Sequence, residues 1–370
     1  FVQACLRARW EPAALESARA LSARPGFDWE AVGALAQREG VAQLLHAVTR
    51  EADLLPDALA QTLRRAYFQT ARQNLLLFRE IAQLLARLEE AGVPVIVLKG
   101  AALAEIVYAN PAVRPMCDMD LLVSQGDLPF VLRTLRSLDY EITPPLAFRA
   151  EVLARKRSKA LASVLEVHWW LFVAPQYGYA LATEALQETA LPFELEGAPA
   201  LALGPESQLM HLCGHLLLHH PGESHRWLWL HDIAEVLVAY REVLDWDRVR
   251  EHTRRLRLEA PVRTLLDMII ERWQLPRPAQ LRAWAESSGL SEQERLEAPN
   301  PSKGKRLLTD LQEIRGLGFK VEFLWRNLFP PFGYMREIYA VRHAALVPLT
   351  YPYRWFLALQ EGLKGRSNRR

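Results

Sequence analysis

A change of texture at Gly92 constrains this chain more than any other feature of its sequence. Up to that point apolar residues recur at helical spacing, as in Leu75, Leu76, Ile81, Leu84, Leu85 and Leu88, which predicts a helix with one broad buried face. Prolines fall only at breaks such as Pro25 and Pro56, and Gly92 is the C-cap signal that ends the region. Val93-Pro-Val-Ile-Val-Leu98 then follows as a short β-branched run, the composition of a buried strand. Residues 93–204 continue in that mixed style. Lys99-Gly100 reads as a turn, Ala101 to Tyr108 as a helix, Asp118 to Val123 as a strand, and Asp127 to Leu138 as a helix. Tyr140 to Thr143 and Ala162 to Phe172 read as strands, and Leu191 to Leu203 as a hairpin turning at Glu196-Gly197. Helices return from Pro205, with Pro299 to Gly304 as the clearest loop or hinge and Lys364 to Arg370 as an expected disordered tail. The expectation is an α+β chain: a helical N-terminal region (1–92), a small mixed β-sheet with flanking helices (93–204), and a helical C-terminal region (205–370).

The bulk numbers fit two or three such units, since 370 residues exceed the roughly 150 of one ordinary domain. With 50% hydrophobic and 24% charged residues there is ample material for cores. The formal net charge of +2 lacks the basic excess of a nucleic-acid coat and argues against long nucleic acid as a partner. Cys5, Cys117 and Cys213 are far apart and without CxxC spacing, which argues against a disulfide framework or structural zinc and for a reducing compartment. Arg7, Arg9 and Glu11 interrupt any opening apolar run, and the stretch His343 to Arg354 falls short of the roughly 20 apolar residues of a span. A cytoplasmic protein with no membrane partner is expected.

The chemistry concentrates in Met116-Cys-Asp-Met-Asp-Leu-Leu-Val123. On a strand, residues i and i+2 share a face, so Asp118 and Asp120 project together, roughly 6.6 Å apart at Cα. Two carboxylates aimed at one point repel unless a cation sits between them. Mg²⁺ (or Mn²⁺) suits such a pair, because hard cations take one or two carboxylates plus substrate phosphates. Glu166, on a later strand in Leu165-Glu-Val-His-Trp169, is the candidate third ligand. An acidic pair of this kind alone is a weak signal, since solvated carboxylates at a strand end look the same. The strand–Lys-Gly–helix unit before it and the acidic strand after it add weight.

Taken together, Val95-Ile-Val-Leu-Lys-Gly100, Tyr108 and Arg114-Pro-Met-Cys-Asp-Met-Asp-Leu-Leu-Val123 resemble the polymerase-β-type nucleotidyltransferase superfamily. Within it the chain is similar to a poorly characterised bacterial nucleotidyltransferase group, with Glu166-Val-His-Trp169 matching its later acidic strand. His211-Leu-Cys-Gly-His215, Arg226 to Asp232, Leu328-Phe-Pro330, Arg336 and Tyr339 extend the likeness over most of the chain. The resemblance implies a nucleotidyltransferase-type sheet, metals on Asp118 and Asp120, and Glu166 completing an acidic triad. Many members of the superfamily carry Gly-Ser or Gly-Gly after the first strand; this chain has Lys99-Gly100. Gly100 still lets backbone approach a phosphate, and Lys99 adds a point charge.

Other residues carry two readings each. Arg114 reaches donor phosphates or is a surface-loop arginine. His168 orients substrate or accepts a proton, or is a structural histidine beneath the metals. His211, His215 and His219 share one helix face and are expected to pack or line a cleft rather than hold zinc. Asp232 reads as an internal ion-pair partner, the basic run Arg155 to Lys159 as a solvated face, and most of the tryptophans as core. No GxGxxG, GxxxxGK[ST] or GxSxG occurs, which removes support from Rossmann, P-loop and α/β-hydrolase folds. The expected activity is metal-dependent transfer of a nucleoside monophosphate from an NTP to a hydroxyl-bearing peptide, sugar or small metabolite. The alternatives are γ-phosphoryl transfer on the same fold, or a degenerate nucleotide- or peptide-binding module.

Overall fold

The computed structural model describes residues 1–143, 150–157, 162–172, 177, 181–219, 226–287 and 317–356. Pro299 to Gly304, Lys364 to Arg370, His220 and the Ser158-Lys159 end of the basic run lie outside them. Seven strands are described: β1 (Ile96–Leu98), β2 (Met119–Leu122), β3 (Glu141–Thr143), β4 (Glu151–Arg157), β5 (Ala162–His168), β6 (Leu191–Leu195) and β7 (Ala198–Ala202). They form one mixed sheet in the order β3-β4-β5-β2-β1-β7-β6. The α+β expectation therefore holds.

The centre of the sheet follows from its composition. Every residue of β1 and β2 is buried, as expected where a strand is covered on both faces and reads as a continuous apolar run. β7 instead alternates between buried and more open positions, and between it and β6 Glu196 (φ +50°) and Gly197 (φ +78°) supply the left-handed pair that a two-residue hairpin turn requires. Register then fixes the chemistry. β2 and β5 run parallel with Asp120 beside Glu166 and Leu122 beside His168. β4 runs antiparallel to β5 and sets Glu151 opposite His168.

Two compact units divide the chain differently from the three textural segments. One comprises residues 1–80, 98–117 and 204–298, and the other 81–97, 118–203 and 299–370. The first is helical, with Leu44, Leu45, Leu63, Leu209, Val236, Ile269 and Trp273 in its core. Two of its helices begin at side-chain caps: Asp28 accepts from the Ala31 amide at 2.8 Å, and Asp245 from those of Asp247 and Arg248. The second unit carries the sheet. There the helix Leu128–Ser137 is joined by the helix Phe332–Ile338, where Gly333 sits against Pro129 and Glu337 pairs with Arg136 at 3.1 Å.

Several elements differ in detail from expectation. β1 begins at Ile96 rather than Val93, and β5 ends at His168 before Trp169 and Trp170. The helix after β1 is α-helical over Lys99–Ala102 and a wider π-turn over Leu103–Val107; a second π-turn spans His215–His219. β4 was not expected at all, because its Arg155, Lys156 and Arg157 read as a charged surface run. Among the described residues no helix is long and apolar enough to cross a membrane.

Candidate active site

Asp120 and Glu166 are neighbours because β2 and β5 pair in parallel at that register. His168, two residues on, shares their face, and its Nε2 lies 3.1 Å from Asp120 Oδ1 and 3.6 Å from Glu166 Oε2. Ligand atoms of Asp120, Glu166 and His168 all fall within 4.8 Å of one another, and among the described residues this is the only group of three or more such side chains able to hold a metal. The donor set of two carboxylates and one imidazole suits a divalent cation, since it gathers negative charge that a hard cation offsets. Asp120 is nearly closed off, at 6% side-chain exposure, whereas Glu166 is 32% exposed. The cluster is therefore covered on one side and open on the other.

Asp118 stands outside that group. It lies one residue ahead of β2 and is exposed, on the same alternation as Asp120. A residue that sequence reasoning missed also faces the cluster: Glu151 Oε2 lies 3.7 Å from His168 Nδ1. The signal was present as alternation, with Val152 and Ala154 buried between the more open Glu151, Leu153 and Arg155. The following cations hid it.

The nucleotide-binding candidates Lys99, Gly100 and Arg114 fall in the helical unit. Lys99 follows β1 directly and holds a left-handed backbone (φ +49°), a conformation that costs a non-glycine residue roughly 1 kcal/mol or more. Arg114 is not a surface arginine, being 7% exposed. Its Nη2 donates to Asp232 Oδ2 at 2.7 Å and its Nε to Oδ1 at 3.1 Å, a two-pronged pair. Asp232 is thus an internal ion-pair partner. It also accepts from the Tyr108 hydroxyl at 2.8 Å, and the Tyr108 oxygen lies 3.1 Å from His231 Nδ1. Burial, then the Asp232 charge, holds the Tyr108 phenol well above its ordinary pKa, so it stays a donor. Burial, then the nearby Arg9, lowers the His231 imidazole to about 3. Arg9 pairs with Glu235, whose carboxyl is raised by burial.

His211, His215 and His219 belong to the same unit and join no metal-capable group among the described residues; the His215 ring sits 5.1 Å from His219 and 6.1 Å from Trp229. Trp227 packs edge-on against Trp273, and Trp169 against Tyr334, so both serve cores. Cys5 and Cys213 are buried and Cys117 is exposed; burial pushes the Cys5 thiol up to about 12.

The chain belongs to the family described as uncharacterised nucleotidyltransferase, whose model matches residues 25–274. Two solved structures are similar to part of the chain. One is an antigenic nucleotidyltransferase-like protein from Paracoccidioides brasiliensis, 14% identical over 53% of this chain and 92% of that one, with a TM-score of 0.36. The other is the antibiotic-resistance factor ANT(2'')-Ia in solution, 15% identical over 53% of this chain and 97% of that one, also at 0.36. No curated protein matches the chain in sequence.

Proposed function

We propose that this protein transfers a nucleoside monophosphate from an NTP to a hydroxyl-bearing acceptor, a peptide, sugar or small metabolite, with Mg²⁺ (or Mn²⁺) bound by Asp120 and Glu166. The observation that carries this reading is the convergence of Asp120, Glu166 and His168 within 4.8 Å. Family membership supports the reaction class. Asp118 is assigned as the further metal ligand from its position two residues before Asp120 on the same face. His168, hydrogen-bonded to Asp120, orients that carboxylate, as outer-shell partners commonly do. Lys99 and Gly100, directly after β1, are assigned to the donor phosphates.

When bound, the divalent cation supplies Lewis acidity that lowers the pKa of the acceptor hydroxyl and offsets charge on the leaving pyrophosphate. The acceptor oxygen forms a bond to the α-phosphorus as the bond from that phosphorus to the α–β bridging oxygen breaks, and pyrophosphate departs with the electron pair. Glu166, the more exposed carboxylate, is the group open to the acceptor and its proton. Lys99 gives a cation for the triphosphate, and the backbone N–H groups of the Lys99-Gly100 turn are assigned to reach it.

The test uses NTPs labelled separately at the α- and γ-phosphates, offered with Mg²⁺ or Mn²⁺ and a mixed panel of hydroxyl acceptors. Transfer of the α-label that is lost in Asp120→Asn supports the reading. Transfer of the γ-label alone replaces it with a kinase-like reaction. Equal metal-dependent transfer by wild type and Asp120→Asn sinks the site.

A further inference from the structure

The helical unit holds a buried arginine whose side chain is fixed at both ends, and the residue it leans on is Gly100. Arg114 lies in the segment after the π-turn. Asn74, itself fully buried, donates from Nδ2 to the carbonyls of Pro111 (2.6 Å) and Arg114 (2.8 Å), and Gln73 donates to that of Met116. These bonds tie the backbone of the segment to the long helix Asp57–Glu90. Asp232, 1% exposed, takes Nε and Nη2 of the guanidinium in the two-pronged pair, and Tyr108 fixes the carboxylate in turn. The third guanidinium nitrogen, Nη1, is the one turned toward Gly100. A Cβ placed on Gly100 would lie 2.5 Å from Arg114 Nη1 and 3.4 Å from both Arg114 Cζ and Met116 Cβ. The guanidinium therefore rests on the Gly100 backbone, one residue after Lys99 and its left-handed φ.

We propose that Arg114, locked by Asp232, is a positioning residue for the Lys99-Gly100 turn, and that glycine stands at position 100 because the locked guanidinium leaves no space for a side chain. A flexible arginine tip yields to a methyl group at little cost; one held by a buried two-pronged pair does not. Lys99 adopts a backbone conformation that lysine disfavours, and such conformations persist only where the surroundings over-determine them. Arg114 over Gly100 is that surrounding. The proposal rests on the assignment of the turn to donor phosphates, and it gives Arg114 a role exerted through the turn rather than by touching phosphate.

Two measurements on the full chain keep the ideas apart. Amide hydrogen exchange over Lys99–Ala102, without nucleotide, reads the clamp alone. Asp232→Asn and Arg114→Lys are each expected to speed it at least tenfold while exchange in the Trp246–Leu256 helix stays within twofold. Unchanged exchange at 99–102 overturns the proposal. ATP·Mg²⁺ titration then reads the consequence in a double-mutant cycle. Gly100→Ala is expected to weaken binding about tenfold in the natural background but less than twofold when Arg114→Lys has removed Nη1. Additive effects overturn the clamp. Should Asp232→Asn fail to fold, the Gly100→Ala and Arg114→Lys arms carry the test. Lys99→Met tests the underlying assignment separately: unchanged ATP affinity there sinks the phosphate role of the turn, and faster exchange in Arg114→Lys still supports the clamp.

Discussion

The two units both bury ionisable groups, yet they compose them oppositely. In the helical unit two arginines, Arg9 and Arg114, face two carboxylates, Glu235 and Asp232, with Tyr108 and a neutral His231 between them. In the sheet unit three carboxylates, Asp120, Glu166 and Glu151, surround one imidazole, His168. The first set balances its charge internally, so removing a member leaves a buried charge uncompensated. The second gathers like charges that repel, an arrangement suited to an added cation. The difference separates a charge-balanced network from the cluster proposed here to serve chemistry, and on that proposal substitutions should break the two in opposite ways.

The largest effect is expected at Asp120. On the proposed reading, Asp120→Asn removes one carboxylate from the metal site while keeping its size, and transfer of the α-label should fall by about 10³-fold or more, the several kcal/mol that metal-assisted charge stabilisation supplies. Its stability without metal should hold or rise, because a like-charge contact is relieved. Mg²⁺ should raise the Tm of wild type and not of the variant. A variant that melts well below wild type without metal would put Asp120 in the structural class and dissolve the contrast.

Asp232→Ala should do the reverse. It strands the Arg114 guanidinium and deprives Tyr108 of its acceptor, with an expected loss of about 3 kcal/mol of stability in urea unfolding, whether or not metal is present. Loss below about 1 kcal/mol would mean that water reaches the guanidinium and that the network is not closed.

A third effect is pH-dependent. His231 titrates at about 3 in the folded chain against an ordinary 6.5, so between those values the unfolded chain binds a proton that the folded chain refuses. The stability from keeping His231 neutral is complete well above pH 6.5 and is lost as pH falls, by about 1.6 kcal/mol from pH 6.5 to 5. Glu235 contributes with the opposite sign, since its raised carboxyl loses stability as pH rises through its window. The comparison is therefore cleanest between Glu235→Gln and Glu235→Gln with His231→Gln. The slope of stability against pH over 5–6.5 should flatten in the double variant, and an unchanged slope would assign it elsewhere.

These outcomes bear on what the sequence could disclose. β1 and β2 were legible because strands covered on both faces must be apolar throughout, and Asp120 stands out by breaking that rule. Glu166 was legible through its own strand-like run. Long-range pairing was not: Arg114 and Asp232 lie 118 positions apart, and no local pattern names one as the other's partner. The interleaving of the two units hid for the same reason, since residues 98–117 group with residues 1–80 and 204–298 while reading locally as part of the sheet segment. The π-turns over Leu103–Val107 and His215–His219 insert one extra residue per turn, a departure too small for hydrophobic spacing to register.

Glu151 gives the smallest effect and the finest test of the contrast. Its carboxylate lies 3.7 Å from His168 Nδ1, while His168 Nε2 is bonded to Asp120, so the imidazole links it to the proposed metal site. Partners at that remove tune ligand basicity and orientation, and their loss commonly costs tenfold or more in metal affinity. Glu151→Gln keeps the shape and removes the charge. It should weaken Mn²⁺ binding about tenfold, about 1.4 kcal/mol, with activity restored by excess metal. Asp120→Asn should resist that rescue. If excess metal fails to restore Glu151→Gln, Glu151 belongs among the groups that meet substrate, and the acidic row on β2, β5 and β4 is one continuous site rather than a metal centre with a supporting carboxylate behind it.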